Sequence, residues 1–267
     1  MALRVLAHFV PGNKVLDLLA ADTDWLDIRW CAEDDDAAFY RELPDAEVIW
    51  HVLRPLSGAD LRRGPRLRLV HELGAGVNTI DVATATQCGI AVANMPGANA
   101  PSVAEGAVLL MLAALRELPA LDRATRQGRG WPTDPALGET VRDLGSCTVG
   151  LIGYGNIAKR VHDIVAAMGA DVLHTWGHLP LAVVDEGALD DALRDGRLAA
   201  AGLDVFEAEP VAPDNPLLTL DNVVLTPHVT WYTADTMQRY LAEAVANCRR
   251  LRDGQPLANV VNQPTGY

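Results

Sequence analysis

Short apolar runs and a helically spaced segment alternate along the first third of the chain. Leu3 to Val10, Leu26 to Ala32, Glu47 to Val52, Leu67 to Leu73 and Gly89 to Asn94 read as strands, and Lys14 to Ala21 as a helix. Acidic Glu33 to Asp36 makes a solvated turn. Strands alternating with helical segments predict a parallel α/β sheet, whose ligands sit at the carboxyl ends of the strands. Met95-Pro96-Gly97 breaks the pattern, and Asn94 to Pro101 reads as a hinge. Ser102 with Glu105 three residues later has the form of a capping box, so a long helix is expected from there, apolar through Leu118. Leu121 to Leu144 is polar and punctuated by Gly and Pro, and crosses to a second patterned region.

That second region opens on Thr148-Val149-Gly150-Leu151-Ile152-Gly153-Tyr154-Gly155-Asn156-Ile157-Ala158. A β-branched run ends in Gly-x-Gly-x-x-Ala, and Lys159 to Met168 then repeat apolar residues at helical spacing. Strand, tight turn and helix in that order are the context a dinucleotide fingerprint requires. Gly153 turns the chain off the strand, Gly155 leaves room for a pyrophosphate, and Ala158 permits close helix–strand packing. Backbone N–H groups at Asn156, Ile157 and Ala158 face the phosphates at the positive end of the helix.

Other candidate chemistry also follows strands. Arg54 lies just after the third, and Gly74-Ala75-Gly76-Val77 after the fourth. One guanidinium and a glycine loop's amides suit a carboxylate. Leu198 to Val205 reads as a strand carrying Asp204 and leading to Glu209, and Asn222 to Thr226 as one leading to His228. A histidine is the usual proton donor near neutral pH, and a carboxylate on its other nitrogen sets the tautomer.

Composition narrows the partners. The chain has 267 residues, enough for two modest domains, and a formal charge of -13, which disfavours nucleic-acid backbones and anionic membranes. Cys31, Cys88, Cys147 and Cys248 are widely spaced, without the CxxC pattern of a zinc site, and are expected as buried thiols in a reducing compartment. The longest apolar stretch, Gly106 to Leu115, is half of what spans a bilayer, and the N-terminal run stops early at Pro11-Gly12. A cytoplasmic protein with no membrane partner is expected.

The chain resembles the D-isomer-specific 2-hydroxyacid dehydrogenases. The matching stretches are Leu73 to Asp81, Ser102 to Glu105, Val149 to Ala158, Val184 to Glu186 with Ala188-Leu189, Gly202 to Pro210 and Thr226 to Trp231. The resemblance implies a flavodoxin-like substrate domain, residues 1–93 plus 236–267, split around an inserted Rossmann-type dinucleotide-binding domain, residues 94–235. It implies NAD or NADP as cofactor, a small 2-oxo acid as substrate, hydride transfer between them, and a homodimer. In those terms His228 is the acid/base, Glu209 its carboxylate partner, Asp204 the contact of the nicotinamide carboxamide, and Gly74 to Val77 the seat of the substrate carboxylate. Trp231 is most similar to the hydroxypyruvate and glyoxylate reductase branches.

The chain also departs from that family. Asp171 to Thr175 runs into Trp176-Gly177 with no residue to read the adenosine ribose. The Asn-Thr-x-Arg-Gly segment, whose arginine binds the 2-oxo acid, has no counterpart. About two βα units, on the order of 50 residues, are absent. Arg54 is the candidate substitute, whereas Arg194 and Arg197 are expected to face solvent. The alternative reading is a non-catalytic dinucleotide-binding sensor or interaction protein.

Overall fold

A computed structural model of the chain describes residues 2–20, 23–129, 131, 135–175 and 184–262. The first elements are β1 (Leu3–Ala7), α1 (Asn13–Ala20), β2 (Leu26–Trp30), α2 (Asp36–Glu42), β3 (Val48–His51), α3 (Gly58–Arg62), β4 (Leu69–Glu72), α4 (Val82–Gln87) and β5 (Ala91–Ala93). All five strands pair in parallel, in the order β2-β1-β3-β4-β5. β3, β4 and β5 are buried throughout, as a sheet covered on both faces requires, while the edge strand β2 is only partly covered. Helix starts are set by local side chains. Asp35, Ser57 and Asp81 accept backbone N–H groups at the first turns of α2, α3 and α4, and Ser57 with Asp60 forms a reciprocal capping box. Leu6, Phe39, Ile49, Val70 and Val92 meet in this sheet's core.

The chain continues through α5 (Ala100–Leu115), α6 (Leu118–Arg126), α7 (Leu137–Thr140), β6 (Thr148–Ile152), α8 (Asn156–Ala167), β7 (Asp171–Thr175), α9 (Glu186–Arg194), β8 (Ala201–Leu203), β9 (Val223–Leu225) and α10 (Ala234–Arg252). It forms two compact units, one made of Met1–Asn99 with Thr233–Tyr267 and the other of Ala100–Tyr232. In the first unit, α10 lies against α1, and its Asn247 Nδ2 is 2.9 Å from His71 Nε2.

Among the described residues the second unit carries two parallel pairs, β6-β7 and β8-β9. β6 is alternately exposed and buried, and Ile152 and Leu173 are 67% and 65% exposed. Parallel strands usually have both faces covered, and among the described residues these two side chains have no such cover. A cavity of about 1040 Å³ is lined by Thr148 and Val149 of β6, Ala201 and Gly202 of β8, and Leu110 and Met111 of α5. At Gly202 a Cβ would lie 2.7 Å from Leu110 Cβ, so only glycine lets β8 run this close to α5.

Three expectations are corrected. Ser102 does not cap α5; Pro101, with its fixed φ, sits in the first turn, so the helix starts at Ala100 and Ser102 is buried inside it. The helix stops at Leu115, and Glu117, in the left-handed region at φ 50°, starts α6. Cys31 and Cys248 are buried thiols, but Cys88 is exposed and Cys147 only half-buried. Among the described residues no helix is long and apolar enough to cross a membrane, and no cluster of His, Cys, Asp and Glu has the makings of a metal site.

Candidate active site

Two strands of the second unit end at the candidate chemistry. β8 leads into Asp204, and β9 into Thr226-Pro227-His228. The His228 N–H donates to Asp204 O at 2.7 Å. The Asp204 carboxylate ties down the same loop, accepting from Thr226 Oγ1 (2.7 Å), Val229 N (2.9 Å) and Thr230 Oγ1 (2.5 Å). Burial pushes the Asp204 carboxyl up, but these hydrogen bonds outweigh it and hold the group below the ordinary carboxylate value. Trp231 Nε1 donates to His228 O at 2.9 Å. The surrounding bonds hold His228 at φ 52°, a left-handed conformation that costs a non-glycine residue energy. At Gly106 a Cβ would lie 2.5 Å from Thr230 Cβ, so the bare backbone of α5 is what lets the loop pack there.

His228 Nδ1 lies 2.7 Å from Glu209 Oε2, and Glu209 Oε1 accepts the Phe206 N–H at 3.0 Å. The carboxylate is thereby fixed at both oxygens. With Glu209 as acceptor, the ring proton is assigned to Nδ1, and Nε2 has no partner among the described residues. The two side chains are 36% and 32% exposed, open enough to meet a ligand. The arrangement provides a proton donor and acceptor oriented by a carboxylate. Asp204, Glu209 and His228 are legible in the sequence pattern. Thr226 and Thr230, whose hydroxyls hold Asp204, are not, because a threonine's partner across a loop leaves no periodic signal.

The fingerprint lies at the β6–α8 junction. Gly153 sits at φ 86°, and Gly155 is the residue preceding α8. A Cβ at Gly155 would meet nothing within 4 Å, so its backbone faces open space. Asn156 and Ile157 are exposed in the first turn, while Ala158 packs against the core of the unit. These residues fit a dinucleotide: an open glycine backbone leading into the N-terminus of a twelve-residue helix. The Gly153 N–H bonds to Thr175 Oγ1 at 3.3 Å, at the end of β7. Residues 176–183, where the ribose reader and the arginine segment were sought, lie outside the described residues.

In the first unit, Gly74 to Val77 follow β4 directly, with Ala75 and Gly76 exposed. Arg54 is directed elsewhere. Its guanidinium pairs with Asp36 at 2.5 Å and lies 4.7 Å over the Phe39 ring, and none of its recorded partners belongs to the glycine loop. Arg194 and Arg197 are exposed and pair with Asp190 and Asp195.

Residues 5–262 match the model of the D-isomer specific 2-hydroxyacid dehydrogenase catalytic domain. The chain belongs to this family. This family member is 32% identical to the D-3-phosphoglycerate dehydrogenase of Archaeoglobus fulgidus over 288 aligned positions, covering 84% of this chain and 53% of that protein. It is also 32% identical to the glyoxylate reductase of Aeropyrum pernix over 283 positions, covering 82% of this chain and 84% of that protein. The structure of Aquifex aeolicus D-lactate dehydrogenase complexed with NAD and lactic acid matches with a TM-score of 0.81 at 25% identity, covering 98% of this chain and 100% of that one. The chain thus spans about half the length of the Archaeoglobus relative. Since 84% of 267 residues is about 224, about 64 of those 288 positions fall opposite gaps in this chain.

Proposed function

We propose that this chain binds NAD or NADP and reduces a small 2-oxo acid, of the glyoxylate or hydroxypyruvate kind, to the 2-hydroxy acid. The observation that carries the reading is the 2.7 Å contact of His228 Nδ1 with Glu209 Oε2, which leaves Nε2 free to serve a substrate. The fingerprint residues Gly153, Gly155, Asn156, Ile157 and Ala158 would hold the dinucleotide pyrophosphate, and Asp204 would serve the nicotinamide side while holding the His228 loop. When bound, the nicotinamide would supply the hydride for the carbonyl carbon. His228 Nε2 would deliver a proton to the carbonyl oxygen. Glu209 would keep the ring oriented through Nδ1. Amides of Gly74 to Val77 would hold the substrate carboxylate. The family resemblance adds a homodimer to this reading, and the widely spaced thiols a reducing, cytoplasmic compartment.

The second reading, a dinucleotide sensor without catalysis, is favoured by the missing arginine. Loss of one such charge stabiliser typically costs about 10²–10³ in kcat, so slow turnover is expected in any case. NADH and NADPH oxidation with glyoxylate and with hydroxypyruvate tests both readings. Measurable turnover that His228→Ala lowers by about 10²–10⁴-fold, and Glu209→Gln by less, supports the enzyme. Turnover indifferent to His228→Ala refutes the role of His228. Tight dinucleotide binding with no oxidation of either cofactor leaves the sensor.

A further inference from the structure

The first unit's sheet, β2-β1-β3-β4-β5, reverses its winding between β1 and β3. At such a point the loops leaving two neighbouring strands part in opposite directions, and the crevice between them is where sheets of this order hold ligands. His8 leaves β1 directly after Ala7, His51 is the last residue of β3, and Arg54 follows three residues on. His8 is 1% exposed and His51 is fully buried. Even so, both ring nitrogens of His8, His51 Nδ1, Arg54 Nη1 and Glu72 Oε2 are buried without a hydrogen-bond partner.

Ring and polar contacts link these side chains. The His8 and His51 ring centroids are 6.4 Å apart. His8 stacks on Phe39 at 4.6 Å, and the Arg54 guanidinium lies over that same ring. His51 Nε2 is 3.7 Å from Glu72 Oε2 and 3.1 Å from Thr79 Oγ1. Leaving five buried polar atoms unpaired is costly, and such a group of orphans asks for an occupant with complementary oxygens.

We propose that this crevice binds a small oxyanion, a carboxylate or a phosphate, held by Arg54 Nη1 and by the ring nitrogens of His8 and His51. Arg54, turned from the glycine loop toward Asp36 and Phe39, is the cation here, joined by two histidines to which the sequence pattern assigns no role. Every remaining acid nearby is compatible. Asp36 occupies Arg54 Nη2 only and is 64% exposed, so solvent screens it. Asp60 is engaged by Ser57 and Tyr40, and Glu33 by the N–H groups of Leu53 and Arg54. Burial drives Glu72 up to about 9, so it is a neutral carboxyl at pH 7 and offers a proton.

The test is histidine-ring NMR on the full chain at pH 7, titrated with inorganic phosphate, with acetate, and with chloride at matched ionic strength. The His8 and His51 signals should shift saturably with phosphate or acetate and not with chloride. Whichever of the two saturates at lower concentration identifies a phosphoryl or a carboxyl ligand. His71, already joined to Asn247, should stay still. Binding should tighten as pH falls, because a bound anion favours the imidazolium over rings now lowered to about 4 for His8 and about 3 for His51, by burial first and neighbouring cations next. His8→Gln should weaken binding at least tenfold. Unmoved His8 and His51 signals, or equal shifts with chloride, overturn the site, and this readout on the unmutated chain needs no variant to fold. Turnover of a 2-oxo acid with silent histidines would overturn the site and leave the enzyme reading intact; saturable shifts without turnover would do the reverse.

Discussion

Glu72 is a carboxyl that the fold keeps protonated. Burial raises it to about 9, far above an ordinary glutamate. Below pH 4.5 folded and unfolded chains both hold the proton, and the contribution to stability is fully present. As pH rises toward 9 the unfolded chain releases its proton first, and stability falls by at most about 1.4 kcal/mol per pH unit. Glu72→Gln removes that dependence. Urea midpoints between pH 5 and 9 should therefore fall more steeply for the parent than for the variant, and parallel curves would rule the effect out. His8, His51 and His71 are all lowered by burial, so their contribution runs the other way and is lost as pH falls below 6.5 toward 4. At this scale the sequence yields identity but little direction. Asp204, Glu209 and His228 were legible because each follows a strand end. The aim of Arg54 was not, since where a loop side chain points depends on Phe39 and Asp36, which are distant in the pattern.

Among the elements, the β6–α8 junction was legible down to individual residues, because a glycine spacing read beside a strand and a helix carries its own geometry. The start of α5 was not. Ser102 and Glu105 have the right types for a cap, but Pro101 favours an earlier first turn. The strands of the second unit came out shorter than their apolar runs: Leu198 to Val205 yields only Ala201–Leu203. Apolar length marks what is able to pair, while the strand itself extends only as far as a neighbour does. The junction gives a clean test. A side chain at residue 155 meets open space at φ -84°, so Gly155→Val should fold normally. It should also weaken NADH and NADPH binding at least tenfold in a fluorescence titration, because the valine would occupy the pyrophosphate's place. Unchanged affinity in the folded variant would remove the fingerprint from the site.

Among the described residues the whole molecule has two units of different build. The first has one five-stranded sheet with a covered core; the second has two strand pairs and a cavity lined from both of them. The parallel α/β class was legible throughout, since alternating patterns suffice for it. What joins or separates the strand pairs was not, because a strand's partner is chosen by tertiary contact and leaves no local period in the sequence. The cavity edge has a consequence for how the backbone trades protons with water. β3 lies between β1 and β4, so successive N–H groups along Val48–His51 find a carbonyl on one side or the other. β6 has only β7 beside it among the described residues, so every second N–H along Thr148–Ile152 points away from any strand. Residue-resolved deuterium exchange should therefore be uniformly slow along β3 and alternate slow and fast along β6. Uniformly slow exchange along β6 would mean that a further stretch of polypeptide lies against that edge in solution.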